Sequence, residues 1–307
     1  MISGRAVLLV HGGAGAIPEL EKTPERASLY RDDVERALRA GFAVLDRPGG
    51  SSLDAVEEAI RVLEDSPLFN AGRGSVFNRE GRNELDASIM EGRERKAGAV
   101  ACVTRVKNPI SAARQVMDAS GHVLLVGQGA DAFADERGLE MVEPGYFWTE
   151  RRWKSYLDAL ASERRPERDR FGTVGAVALD GDGNLAAGAS TGGMTVKRPG
   201  RVGDSPVIGA GVYAENGVCA VSCTGHGEAF IRLAIAHEVI ALMKYASLTV
   251  EEATRRVVRE TLRQVGGEGG LIALAADGSF AMPFNTRAMV RGSIDRDGRT
   301  FVAIDEV

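Results

Sequence analysis

The chain has 307 residues, enough for one large domain or two smaller ones with a full core, and its 44% hydrophobic and 26% charged content is that of a soluble globular protein. A net charge of −5 offers no basic footprint for nucleic acid, and no apolar run approaches the length of a membrane span. The three cysteines, Cys102, Cys219 and Cys223, are too sparse for a disulfide framework, and a cytoplasmic location is the expectation.

The apolar run 6–10 is too short for the core of a signal peptide and reads as a first strand over residues 5–10 that ends at His11. Residues 24–45 are predicted helical, with Pro24 at the start and Leu29, Val34, Leu38 and Phe42 on one face. Ser52 is expected to cap a second helix running to about residue 64. The loop 65–74 is apolar for a loop. Residues 83–90 and 97–106 alternate as a hairpin around Gly92, followed by helix, strand and helix over 109–119, 122–126 and 130–137. A helix over 148–164 dissolves into a charged, Pro166-bearing stretch that reads as a solvated linker. Residues 173–179 and 185–190 pair as a hairpin over Asp180-Gly181-Asp182-Gly183-Asn184, and 218–224 form another strand. Two long helices, 228–245 and 249–265, precede closing strands near Leu271, Phe280 and Phe301. Strands adjacent in sequence, with paired helices in each half, predict antiparallel sheets with helices layered outside: an α+β fold in a single domain over 1–307.

The chemistry concentrates at Gly172-Thr173, where an apolar strand begins just behind the charged linker. Threonine is a weak nucleophile until the chain is cut in front of it, because the new α-amine, with a pKa of ~7.7–8.0, can then act as its base. Glycines cluster at 11–15, 72–74, 172–193, 200–217 and 225–227, abutting strands, which suggests a site built largely from backbone. Three other patterns compete. Gly188-Ala189-Ser190-Thr191-Gly192 matches a serine nucleophile elbow, but Gly193-Met194-Thr195-Val196-Lys197-Arg198-Pro199 cannot begin the helix an elbow needs. Gly209-Ala210-Gly211 mimics a dinucleotide fingerprint and likewise lacks its helix. Cys219, Cys223 and His226 invite a metal reading, yet both cysteines fall on one side of a strand and read as buried thiols. Glu228 fits a surface or supporting role.

The surviving set is Thr173, Thr191, Arg201, Asp204, Thr224 and Gly225. A threonine with a free amine attacks a carbonyl, and Thr191 can hold its Oγ. Thr224 and the Gly225 N–H can meet the developing oxyanion, one such donor being worth ~2.7–4 kcal/mol. Arg201 can take a carboxylate in bidentate fashion and Asp204 an ammonium, although the two could simply pair with each other.

Together these segments resemble the plant-type asparaginase / isoaspartyl peptidase family of N-terminal-nucleophile hydrolases. The resemblance runs through Val10-His11-Gly12-Gly13-Ala14-Gly15, Leu63 to Gly74, Gly172-Thr173-Val174-Gly175, Ser190-Thr191-Gly192-Gly193, Gly200-Arg201-Val202-Gly203-Asp204-Ser205-Pro206 and Thr224-Gly225-His226-Gly227-Glu228, in that order. It implies a four-layer αββα fold and self-cleavage between Gly172 and Thr173, giving an α-chain 1–172 and a β-chain 173–307. It further implies attack by Thr173 on the side-chain carbonyl of L-asparagine or of a β-aspartyl dipeptide. Arg201 and Asp204 would hold the aspartyl carboxylate and amine, Gly225 and Gly227 would add backbone contacts, and Asn70 would lie beside the nucleophile. No cofactor is implied for catalysis. A structural sodium ion would be wrapped by the main-chain carbonyls of Leu63, Glu64, Ser66, Phe69, Ala71 and Arg73, and the cleaved protomer would form a homodimer. Glycosylasparaginases and threonine aspartases typically place Asp before the threonine, where this chain has Gly172, which favours small β-aspartyl substrates. Two further readings are a serine hydrolase on Ser190 and an uncut protein that only binds aspartyl groups.

Overall fold

The computed structural model describes residues 6–15, 23–161 and 172–305. In chain order its elements are β1 (Val7–Gly15), α1 (Pro24–Leu45), α2 (Ser52–Asp65), β2 (Leu85–Glu91), β3 (Ala97–Val103), α3 (Pro109–Ala119), β4 (Leu124–Val126), α4 (Gly127–Glu136) and α5 (Glu150–Ala161). Past the linker come β5 (Val174–Leu179), β6 (Leu185–Thr191), β7 (Val212–Glu215), β8 (Cys219–Gly225), α6 (Gly227–Leu233), α7 (Ile235–Ala246), α8 (Val250–Arg256), α9 (Leu262–Gln264), β9 (Gly269–Ala275), β10 (Phe280–Ala281), β11 (Ala288–Asp295) and β12 (Thr300–Asp305). The expected linker 162–170 lies outside the described residues.

Among the described residues the strands form an eight-stranded sheet, β12-β11-β1-β5-β6-β2-β3-β4, and a four-stranded sheet, β10-β9-β8-β7. Every pairing is antiparallel except β3 with β4. Strand alternation sorts the apolar side chains into three packed layers. Val174, Ala176 and Ala178 of β5 pack under α1 to α4 with Leu38, Val56 and Ile60. Val177 and Leu179 turn the other way and meet Ile272 and Leu274 between the sheets. Cys219, Val221 and Cys223 of β8 pack outward against Val239, Val257 and Leu262. Each large apolar side chain buried in these layers contributes ~1.5–3 kcal/mol. The order helix, sheet, sheet, helix is the expected αββα sandwich, and both cysteines of β8 sit in its outer core.

Local chemistry sets the helix ends. Thr23 caps α1 by accepting the Arg26 N–H at 3.2 Å, with Pro24 at the first position. The cap of α2 is Ser51, not Ser52, because Asp180 takes the Ser52 N–H at 3.1 Å while Ser51 Oγ accepts that of Asp54. Tertiary bonds break the two predicted long helices. Ala210 and Gly209 accept from Ala236 and His237 at 3.1 and 2.9 Å, which forces Ala234 to φ 48° and separates α6 from α7. Asn285 Nδ2 donates to the Val258 carbonyl at 3.2 Å, and a π-helical turn over Val257–Thr261 interrupts the last helix there. Among the described residues no helix is long and apolar enough to cross a membrane.

Candidate active site

The same alternation that builds the core aims the threonines. Val174 faces the helices and pairs with Ser190, so Thr173 and Thr191, one step beyond on each strand, face the gap between the sheets. On β8 Cys223 points outward, which turns Ser222 and Thr224 into that gap from the opposite sheet. Thr173, Thr191 and Thr224 are therefore brought together at one end of the sandwich, 6%, 3% and 1% exposed.

Each hydroxyl has a defined setting. Thr173 Oγ1 lies 3.1 Å from Ser205 Oγ. Ser205 stands next to Asp204 in the segment between β6 and β7, and only the tertiary fold signals its contact with Thr173. Thr191 Oγ1 accepts the Gly193 N–H at 3.0 Å and Thr224 Oγ1 that of Ala14 at 3.3 Å, so both hydroxyl protons are left to point elsewhere. Asn70 locks its loop to the same turn. Its Nδ2 donates to the Gly193 carbonyl at 2.8 Å, its Oδ1 accepts from Val76 at 2.9 Å, and its own carbonyl takes the Gly192 N–H at 3.0 Å. His11, buried beside this group, shares a 3.1 Å hydrogen bond with Ser222 Oγ, and burial pushes its pKa down to about 3, so it is a neutral strut. Gly172 precedes Thr173 with open space around the position a Cβ would take.

Arg201, Asp204 and Gly227 converge beside the threonines. A Cβ on Gly227 would stand 2.9 Å from Arg201 Nη2 and 3.0 Å from Asp204 Oδ1, so only glycine admits both groups there. The two charges do not simply neutralise each other. Arg201 makes a bidentate contact with Glu228, Nε to Oε1 at 3.1 Å and Nη2 to Oε2 at 3.0 Å, and His226 Nε2 lies 3.2 Å from the same carboxylate. Burial alone would raise the Glu228 pKa, but the Arg201 hydrogen bonds and charge outweigh it and hold it below the ordinary range. Asp204 is 3% exposed, and its Oδ2 has no hydrogen-bond partner among the described residues. Burial pushes its pKa up to about 7, against the opposing influences of its backbone hydrogen bond and Arg201. A buried acceptor of this kind beside an arginine is suited to a ligand carrying both an ammonium and a carboxylate. Sequence reasoning assigned Arg201 and Asp204 to this corner but left Glu228, which fills the arginine's fork in the free protein, as a supporting residue.

The loop 63–74 is tied down by alternate carbonyls. Those of Leu68, Asn70, Gly72 and Gly74 accept from Arg151 (2.6 Å), Gly192 (3.0 Å), Ser75 (3.2 Å) and Arg152 (2.7 Å). The carbonyls expected to wrap an ion at Phe69, Ala71 and Arg73 interleave with these. Leu63 and Glu64 each accept one bond, from Ser66 at 3.3 Å and Arg73 at 2.7 Å, which leaves a second lone pair on each. Among the described residues no cluster of three or more His, Cys, Asp or Glu side chains could hold a metal. Burial also raises the Glu64 pKa to about 8. A neutral, carbonyl-rich loop fits a monovalent cation better than a divalent one.

The rival serine is poorly placed. Ser190 Oγ is fully buried on the helix-facing side of β6, and residues 192–197 form turns instead of a helix.

Comparison with known proteins finds matches over nearly the whole chain. A family model described as asparaginase matches residues 4–304. The chain is similar to the isoaspartyl peptidase of Escherichia coli strain K12, 50% identical over 297 residues that cover 94% of this chain and 92% of that protein. It is also similar to a probable isoaspartyl peptidase/L-asparaginase of Arabidopsis thaliana, 42% identical over 99% of this chain and 100% of the other. An isoaspartyl peptidase/L-asparaginase of Xenopus laevis is 42% identical over 95% and 93% of the two chains.

Proposed function

The chain belongs to the asparaginase family, and on that premise we propose that it is a self-processing threonine amidohydrolase that hydrolyses L-asparagine and β-aspartyl dipeptides. The observation that supports this most directly is the meeting of Thr173, Thr191 and Thr224 between the sheets, next to the unpartnered Asp204 carboxylate and the Arg201 fork.

The enzyme makes its own nucleophile. Thr173 Oγ1 attacks the Gly172 carbonyl carbon, the C–N bond breaks, and the departing nitrogen takes the hydroxyl proton. Water then hydrolyses the resulting ester, leaving a Gly172 carboxylate and a free Thr173 α-amine. In turnover that amine removes the Oγ1 proton as Oγ1 attacks the substrate's β-carbonyl carbon. Negative charge collects on the former carbonyl oxygen, where the Thr224 hydroxyl and the Gly225 N–H stabilise it. Ammonia, or the amino group of the dipeptide's second residue, leaves with the proton. Water releases aspartate from the threonine ester.

Arg201 and Asp204 hold the aspartyl α-carboxylate and α-ammonium, a step in which the substrate carboxylate takes the place of Glu228 in the Arg201 fork. The α-ammonium supplies the partner that Asp204 Oδ2 lacks, and Gly227 gives both groups room. Thr191 steers the nucleophile's hydroxyl and Asn70 braces the turn behind it. Main-chain carbonyls of Leu63, Glu64, Ser66, Phe69, Ala71 and Arg73 would hold sodium, which would fix the loop that carries Asn70 by charge–dipole attraction. The cleaved protomer is proposed to pair as a homodimer in the cytoplasm.

Mass analysis of purified protein tests this reading. Two fragments, 1–172 and 173–307, should appear together with aspartate release from L-asparagine and from β-aspartyl-leucine, and Thr173→Ala should abolish both. A Thr173→Ala protein that still turns over either substrate refutes it.

A further inference from the structure

We propose that Asp86 and Lys197, a buried pair on the inner face of the large sheet, are positioning residues that hold the turn 191–193, and through it Thr191 and Asn70, in register with Thr173. This rests on the amidohydrolase reading above.

Asp86 of β2 is the cross-strand neighbour of Thr191 on β6, so both side chains lie on the face that carries Thr173. A polar row, Thr173, Thr191, Asp86, thus runs across β5, β6 and β2 at one end of the sheet. Asp86 Oδ1 accepts the Cys102 N–H at 2.8 Å, whereas Oδ2 lacks a hydrogen-bond partner among the described residues and has Lys197 Nζ 4.0 Å away. Lys197 Nζ donates to the Glu84 carbonyl at 2.8 Å. The lysine and aspartate side chains are 1% and 0% exposed. Burial pushes the Asp86 carboxyl up, with the Lys197 charge the largest opposing influence. Desolvating two charges is costly, and a pair of this kind is weak evidence for stability, so its position is the more informative property.

That position is directly under Gly193. A Cβ there would sit 2.9 Å from Lys197 Cδ and 3.0 Å from Nζ, so the lysine stem lies flat against the glycine. Gly193 is the junction of the site: its N–H binds Thr191 Oγ1 and its carbonyl receives Asn70 Nδ2. The segment joining Gly193 to Lys197 is also strained. Val196 adopts φ 59°, an outlier for a β-branched residue, and such conformations persist only where the surroundings over-determine them. Here Phe77 O accepts from Val196 at 2.8 Å, Met194 O from Lys197 at 3.0 Å, and Lys197 O from Arg79 at 2.8 Å. The buried pair anchors the far end of a stiff turn whose near end, at Gly193, holds Thr191.

The experiment compares the wild type with Lys197→Met, Asp86→Asn and the double variant, measuring thermal stability, fraction cleaved, and kcat and KM per cleaved protomer on L-asparagine. Each single variant should lose stability, because it leaves one buried charge unpaired. The double variant should recover that stability yet keep kcat at least tenfold down, with KM changing by much less than kcat, because Arg201 and Asp204 keep their own side chains and feel Asp86 through charge alone. Val196→Gly gives an independent arm: relief of the left-handed strain should preserve the fold while lowering kcat several-fold. A double variant that regains kcat along with stability, or a Val196→Gly enzyme with undiminished kcat, overturns the positioning role. A tenfold rise in KM at constant kcat also overturns it, since the pair would then act on Arg201. A wild type that turns over no β-aspartyl substrate overturns the parent reading, an outcome distinct from an active wild type with an equally active double variant.

Discussion

Asp204→Asn removes one negative charge from a side chain that is 3% exposed and whose Oδ2 has no hydrogen-bond partner among the described residues. In the free protein that charge is a burden, because burial raises the carboxyl pKa from 3.8 to about 7. At ~1.36 kcal/mol per unit, ionising Asp204 in the fold costs about 4 kcal/mol relative to the unfolded chain. The sign follows from the folded pKa lying above the unfolded one. The folded state binds more protons between about pH 4 and pH 7, so stability is highest below that window and is lost as pH rises through it. The asparagine variant carries no such loss, so it should gain on the wild-type side chain across that window and be up to about 4 kcal/mol more stable above pH 7. Urea unfolding from pH 4 to pH 8, in a Thr173→Ala background so that both chains stay intact, measures the gap. Activity should move the other way. Truncating one partner of a buried charge pair costs ~2–5 kcal/mol, so kcat/KM on L-asparagine should fall about a hundredfold or more in the self-cleaving background. A gap that does not change with pH, an asparagine variant less stable at pH 8, or an unimpaired kcat/KM would refute the claim that Asp204 is a strained acceptor awaiting an ammonium.

Gly227→Ala should raise KM about tenfold while changing the melting temperature little, because the new methyl would stand 2.9 Å from Arg201 Nη2 and 3.0 Å from Asp204 Oδ1; steady-state kinetics with a melt on the same sample checks it. Replacing sodium by choline at constant ionic strength should lower the melting temperature, and titrating sodium back should restore it with a saturating dependence worth ~2.7 kcal/mol at a hundred times the dissociation constant. Thr191→Val should slow turnover at least tenfold and leave KM unchanged, whereas Thr191→Ser should retain most activity, since the serine hydroxyl can still accept the Gly193 N–H. Thr249→Ala, which removes a capping box joining Thr249 and Glu252 on α8, should cost about 1 kcal/mol in stability with no effect on kcat/KM; a loss of activity there would contradict the location of the site.

Elements whose signals are local were legible in the sequence. Pro24 behind Thr23 marks the start of α1, and period-two alternation marks β5 and β6 on either side of the Asp180 turn. Segments whose fate depends on distant partners were not. Nothing near Ala234 announces that Gly209 and Ala210 will capture the first turn of α7, and nothing near Val258 announces Asn285. Strand β11 was also missed despite the Asp297-Gly298 turn at its end, because Arg291-Gly292-Ser293 interrupts its apolar pattern and it gains its identity by pairing with β1 on one side and β12 on the other.

The sequence by itself determined which residue types are available for the chemistry and in what order they occur: a Gly172-Thr173 junction, two later threonines, and an arginine and aspartate three residues apart. Period-two alternation in the sequence puts Thr173 on the opposite face from Val174 and Thr224 on the opposite face from Cys223, but only the tertiary structure assigns Val174 and Cys223 to the outer cores and so turns both threonines inward. Only the tertiary structure decided what each of them meets. Thr173 rests on Ser205, Arg201 on Glu228, Thr191 beside Asp86, and Lys197 against Gly193, contacts that span 32, 27, 105 and 4 residues of chain respectively. The long-range contacts are set by sheet register and by the closing of one sheet over the other. Burial energy is paid per area and does not name its partners, so a chain's own pattern can say that a side chain is buried without saying against what.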